Sequence, residues 1–133
     1  MIENSPPDRP RDSLWMGLFA MVAFTLWGLY VNWDYGLGSR IQVALTQGIL
    51  GLTSTFFSAE IVVWLVRLFK EKSHPVILAG ASSWIMIYTI IGLVHLLAGT
   101  PEIFMTILPG MITGVFFSFG YAKRVTLYLR PRS

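Results

Sequence analysis

Long apolar stretches alternate with short polar segments along the chain, and four of these stretches are long enough to cross a membrane. They cover residues 14–31, 41–66, 76–98 and 103–122. A helix needs about 20 predominantly apolar residues to span a hydrocarbon core of about 30 Å, so each stretch is long enough. Together they make up about two-thirds of the chain and leave no segment for a separate soluble domain. The pattern predicts an all-α polytopic membrane protein, a small bundle of four transmembrane helices.

The polar segments mark where the predicted helices begin and end. The fourth stretch follows Thr100-Pro101-Glu102, which is a helix-start signal: threonine can cap, proline suits the first helical position, and glutamate favours the positive end of the helix dipole. We expect one membrane domain over residues 14–127, a disordered cytosolic tail over 1–13 and a basic cytosolic tail over 128–133.

Composition supports the membrane class and excludes several others. The chain is 54% hydrophobic and only 13% charged, whereas soluble domains average about 25% charged residues and disordered chains are poor in aromatic side chains. The absence of cysteine excludes a disulfide-stapled secreted domain and a cysteine metal site. The net charge of +3 is explained by membrane topology and needs no nucleic-acid partner.

The basic residues predict the orientation. Nine of the ten Lys and Arg residues lie in the two tails or between the second and third stretches, and only Arg40 lies in another connection. Short loops rich in Lys and Arg stay in the cytoplasm, so both termini and the middle connection are predicted to be cytoplasmic. The compact chain suggests a bacterial inner membrane.

Small residues recur on one side of the fourth stretch. Gly110, Gly114, Ser118 and Ala122 are spaced every four residues and form a helix-packing ridge. In lipid, helices associate where small residues allow close backbone approach. We expect this ridge to pack against a neighbouring helix or a second copy, with a bend at the adjacent Pro109.

The second stretch carries an intramembrane polar stripe. Gln42, Thr46, Thr53 and Glu60 fall within about 40° of one another on a helical wheel. Glu60 is the single charged residue inside a stretch, about 10 Å from Arg67 along the helix. Intramembrane acids often mark ion or proton pathways, but a packing hydrogen bond or a side chain reaching the interface also explains Glu60 and is the simpler interpretation. We expect this helix at the bundle centre.

A second polar layer is expected near the outer ends of the helices. Gln47, His95 and Thr106 lie at similar depth on three different stretches. A histidine there is suited to a pH-dependent role, or it is simply an amphipathic side chain at the headgroups. The spacing of acids and histidines matches no zinc or calcium motif, so neither a metal nor another cofactor is expected.

No recognisable catalytic constellation is present, and the sequence therefore predicts no enzyme. Two functions stay open. The first is an accessory or assembly subunit that contacts the lipid bilayer and binds another membrane protein, or a second copy, through helix packing. The alternative is a small oligomeric transporter or lipid flippase that uses the acid at Glu60.

Overall fold

The computed structural model describes residues 10–130, and side-chain surroundings from residue 14 onward. Its elements are α1 (Pro10–Val31), a single 3₁₀ turn (Trp33–Tyr35), α2 (Gly36–Phe69), α3 (Pro75–Ala98) and α4 (Ile103–Leu129). All four helices are long and apolar enough to cross a membrane. The predicted all-α class and the predicted four spans are confirmed, and the helices contact the bilayer.

All four helices run past the predicted spans, although α3 does so by a single residue at its start. α1 begins at Pro10 rather than at residue 14, α2 covers 36–69 rather than 41–66, and α4 continues to Leu129. The prediction bounded the second span by Arg40 and Arg67 and ended the fourth before Lys123, but Lys and Arg are good helix formers and do not end a helix. Residues 10–13 and 128–129 of the predicted tails are therefore helical, while 1–9 and 131–133 lie outside the described residues.

The connection between α3 and α4 ends where the sequence predicted, but without the expected side-chain cap. Gly99 ends α3 in the left-handed conformation (φ 79°), and the Thr100 backbone N–H donates to the His95 carbonyl at 3.0 Å. α4 begins only at Ile103, and no side-chain cap is present. A left-handed residue at the end of a helix is favoured when it is glycine, so Gly99 ends α3 before the chain enters α4.

Sequential helices pack antiparallel, and this defines two ends of the bundle. The basic end contains the α2–α3 turn and the last turns of α4, whereas the polar end contains the α1–α2 and α3–α4 connections. α2 packs against all three other helices. α1 also contacts α4, and near the polar end the Trp27 indole donates to the Met105 carbonyl at 2.8 Å.

Apolar side chains lie both inside and outside the bundle. One buried cluster near the basic end includes Val62, Ala79 and Ala122, and a second includes Leu50 and Ile107. Large apolar side chains also cover the outer surface, among them Phe19, Leu97 and Phe116, which are 77%, 86% and 76% exposed. Such a surface suits contact with lipid chains rather than with water.

Candidate functional site

Five polar side chains are buried together at the polar end, and we call them the polar cluster. Its members are Asn32, Gln47, His95, Thr100 and Thr106, none of which is more than 5% exposed. They come from α2, α3 and α4, from the α3–α4 turn and from the residue that directly follows α1. A buried polar group without a hydrogen bond destabilises the folded state by about 1–3 kcal/mol. The hydrogen-bond partners of these five side chains therefore matter for the stability of the fold.

His95 occupies the middle of the polar cluster. Its Nε2 lies 3.3 Å from Gln47 Oε1, and its Nδ1 lies 2.8 Å from Thr100 Oγ1. Gln47 donates through Nε2 to the Thr106 carbonyl at 3.0 Å, so its Oε1 is left to accept from His95. These roles assign a neutral His95 that donates from Nε2 and accepts at Nδ1 from the Thr100 hydroxyl.

Asn32 joins α1 to the start of α4. Its Nδ2 donates to Thr106 Oγ1 at 2.8 Å and to the Gly28 carbonyl at 2.9 Å, while its Oδ1 accepts from the Glu102 backbone N–H at 3.2 Å. The Thr106 hydroxyl in turn donates to the Glu102 carbonyl. Each polar side chain of the cluster is hydrogen-bonded, and these bonds connect the ends of the helices to one another.

The structure brings the three residues of the predicted outer layer into one network, in which Gln47 bridges His95 and Thr106. Asn32 and Thr100 were missed, because both lie just outside the apolar stretches and were assigned to connections. Within residues 10–130, no three His, Asp or Glu side chains come together as a metal site.

The four residues of the predicted stripe do not line one interior path. Gln42 and Thr46 are half-buried and bonded to each other, and Gln42 Nε2 also donates to Thr100 Oγ1 at 3.3 Å. Thr53 and Glu60 are exposed on the outer surface of α2. The spacing of the four residues keeps them on one side of α2, and the α3–α4 turn contacts that side at Gln42, near the polar end.

The small-residue ridge of α4 faces α3 within the chain. Gly114, Ser118 and Ala122 are buried, and Gly110 is half-buried. A Cβ at Gly114 would lie 2.3 Å from Tyr88 Oη, which shows how closely the ring packs against the helix backbone. The expected neighbour of the ridge is thus another helix of the same chain.

Aromatic side chains donate hydrogen bonds to backbone carbonyls of α4 near Pro109, which lies inside this helix. Proline has no N–H, so the carbonyl of Met105 lacks its helical partner, and Trp27 of α1 donates to it. From α3, Trp84 Nε1 donates to the Met111 carbonyl at 2.9 Å and the Tyr88 hydroxyl donates to the Gly110 carbonyl. The sequence predicted the proline irregularity but not these donors.

Comparison of the chain with protein families, with curated proteins and with solved structures found no match. The fold and the geometry therefore carry the functional argument. They establish a small four-helix protein with membrane-spanning helices, whose polar end contains a buried, hydrogen-bonded polar cluster.

Proposed function

We propose that this protein is an accessory or assembly subunit that binds another membrane protein through one face of α2. This Glu60 face consists of Thr53, Phe56, Glu60 and Trp64, all of which are exposed. The observation that carries the proposal is the exposed carboxylate of Glu60, which has no hydrogen bond or ion pair with any other residue in the part of the chain that the structure describes.

The depth of Glu60 supports this interpretation. Seven residues separate it from Arg67, about 10 Å along the helix, and its neighbours on the face are the apolar rings of Phe56 and Trp64. On insertion scales, an acidic group costs about 2.5–3.5 kcal/mol at the centre of a membrane helix, and less toward the interface. A partner helix that offers a Lys, Arg or hydroxyl group would offset this cost and gain specificity.

The other surface considered from sequence is the ridge of α4. Tyr88 packs against Gly114, and Ser118 and Ala122 are also buried, so the ridge exposes less surface to a second protein than the Glu60 face does. This favours α2 over α4 as the helix that meets a partner.

Site-specific photo-crosslinking in native membranes tests the proposal. A photoreactive amino acid replaces Phe56 on the Glu60 face or, as the matched control, Phe116, which is an exposed phenylalanine on α4. We expect an adduct with a transmembrane helix of a different protein from position 56 and not from 116. Adducts with lipid alone at both positions would refute the proposal. Glu60-dependent flux by the purified protein would instead favour the transporter or flippase.

We also propose that both termini are cytoplasmic, in a bacterial inner membrane. The proposal is supported by Arg67, Lys70 and Lys72 lying at the same end of the bundle as Lys123 and Arg124. Because the chain has no cysteine, single cysteines report topology without background.

The topology test compares two exposed positions. Ser73→Cys in the α2–α3 turn should resist a membrane-impermeant maleimide in intact cells. Gly38→Cys, where a Cβ meets open space, should react. The opposite labelling pattern would reverse the orientation.

A further inference from the structure

A recess of about 820 Å³ opens at the polar end, between the α1–α2 connection and the start of α4. We call it the aromatic recess. Four of the residues that line it are aromatic and two are acidic, namely Trp27, Tyr30, Trp33 and Tyr35, and Asp34 and Glu102. No Lys, Arg or His of the described residues lines it. The recess therefore combines aromatic rings with carboxylate groups, in a chain whose net charge is +3.

Two hydrogen bonds hold the walls of the recess together. The Trp27 indole of α1 donates to the Met105 carbonyl of α4 at 2.8 Å. The Tyr35 hydroxyl of the 3₁₀ turn donates to the Glu102 carboxylate. Within α1, the rings of Trp27 and Tyr30 are tilted by 41° to each other, with their centroids 5.7 Å apart. Contacts within the chain thus position these rings, which lowers the entropy cost of binding a ligand.

No salt bridge neutralises the negative charge of the recess. Asp34 is exposed, and neither its carboxylate nor that of Glu102 forms an ion pair within the described residues. Arg40 of α2 lies over the Trp33 ring, with its guanidinium carbon 4.3 Å from the ring centroid, but it does not line the recess. Two carboxylates against one guanidinium leave one negative charge unbalanced. The Arg40 contact also shows that the Trp33 ring accommodates a cation.

The lining of the recess favours an organic cation over a metal ion. Calcium and magnesium ions bind six or more oxygen ligands. The recess offers two carboxylates among aromatic rings, and no third Asp, Glu or His of the described chain joins them. Quaternary ammonium groups, in contrast, have no N–H to satisfy and are attracted to aromatic rings, as in the aromatic cages that bind choline. Primary ammonium groups are strongly hydrated and carry three donors, so this lining satisfies them less well.

We infer that the aromatic recess binds a quaternary ammonium group. The rings of Trp27, Tyr30 and Trp33 contact its methyl groups, and the two carboxylates balance its charge. Two sources carry this group, a small soluble compound such as choline and the headgroup of phosphatidylcholine. The recess and the Glu60 face lie in different halves of the bundle, so the inference is independent of the proposed function.

The test titrates the full-length protein, in maltoside micelles, with choline. Binding is followed by tryptophan fluorescence, because Trp27 and Trp33 line the recess. The matched neutral probe is the tert-butyl analogue of choline, in which a carbon replaces the charged nitrogen, and the primary-amine probe is ethanolamine. We expect saturable binding of choline, binding of the neutral analogue that is weaker by about ten-fold or more, and several-fold weaker binding of ethanolamine.

A second arm separates the two sources of the ammonium group. The choline titration is repeated in mixed micelles of maltoside and phosphatidylcholine. Mixed micelles with a diacylglycerol of the same acyl chains, which lacks the headgroup, serve as the control. An unchanged choline affinity identifies a soluble compound as the ligand. Loss of choline binding with phosphatidylcholine alone identifies the lipid headgroup, because it then occupies the recess first.

Matched variants locate the binding site. Asp34→Asn should weaken choline binding several-fold, whereas Glu71→Gln, at an exposed acid of the α2–α3 turn, should leave it unchanged. Tyr30→Leu should weaken choline binding about two- to five-fold, which is the effect of one exposed cation–π contact. Tyr128→Leu also removes an exposed tyrosine, but one near the end of α4 and outside the recess, and should not change the choline affinity.

Three results would overturn the inference. The first is no saturable binding of choline, or equal affinity for choline and its neutral analogue, which means apolar contact alone. The second is ethanolamine binding as tightly as choline, which would indicate a general cation site or a lysine of another protein as the occupant. The third is equal effects of Asp34→Asn and Glu71→Gln on the choline affinity.

Discussion

Replacing Gly114 by alanine would place a methyl group in the space that the hydroxyl end of the Tyr88 ring occupies. An added Cβ lies 2.3 Å from Tyr88 Oη, 2.5 Å from Cε2 and 2.7 Å from Cζ, which are distances no real contact tolerates. The ring must therefore move away from α4 and give up its hydrogen bond to the Gly110 carbonyl. Gly120 provides the matched control, because a Cβ there meets nothing within 4 Å.

The two variants should change stability in opposite directions. Overpacking costs about 1–3 kcal/mol and a lost hydrogen bond about 1 kcal/mol, while alanine gains about 0.5–1 kcal/mol over glycine in a helix. We expect Gly114→Ala to lower the free energy of unfolding by about 1–3 kcal/mol. Gly120→Ala should raise it by about 0.5–1 kcal/mol.

Reversible unfolding in mixed detergent and SDS micelles, followed by tryptophan fluorescence, measures this difference. The chain has five tryptophans, so the signal needs no added probe. Equal stability of the Gly114→Ala and Gly120→Ala variants would refute the packing of Tyr88 on the ridge. If Gly114→Ala instead dissociated an oligomer without changing monomer stability, the ridge would be an interface between copies.

Two further predictions concern the polar end. Trp27→Phe should lower the free energy of unfolding by about 1–2 kcal/mol. The loss should be clearly smaller in a Pro109→Ala background, because the alanine N–H restores the helical hydrogen bond to the Met105 carbonyl. Additive effects of the two substitutions in this double-mutant cycle would contradict the pairing of Trp27 with that carbonyl. His95→Leu should lower the free energy of unfolding by about 2–4 kcal/mol, because Gln47 and the Thr100 hydroxyl lose their hydrogen-bond partner. The control His74→Leu, at an exposed turn position, should change the free energy of unfolding by less than about 0.5 kcal/mol. Similar effects of the two variants would argue against a stabilising role of the polar cluster.

The spans were predictable because a hydrocarbon core requires a minimum apolar length, and composition alone meets that test. Helix ends were harder to predict, because residues such as Arg67 leave the hydrocarbon without leaving the helix. Depth also grouped Gln47, His95 and Thr106, since antiparallel helices bring residues at equal depth side by side. These three share one hydrogen-bonded network in the structure.

What the sequence did not reveal is which side of each helix its neighbours cover. A helical wheel relates Gln42 to Glu60 but contains no information about the position of α3 or of its turn, so one became half-buried and the other exposed. The burial of Asn32 could not be predicted for a different reason. It lies in a connection by hydropathy, and only the approach of α4 buries it.

The proposed role as a partner-binding subunit depends on the carboxylate of Glu60. The most direct measurement is therefore the yield of the position-56 photo-adduct in native membranes with Glu60→Gln, compared with Glu71→Gln at an exposed residue of the α2–α3 turn. We predict that Glu60→Gln lowers the yield of the heterologous adduct by at least several-fold, while Glu71→Gln leaves it unchanged and both variants accumulate normally. Equal yields in the two variants would contradict a partner held by Glu60.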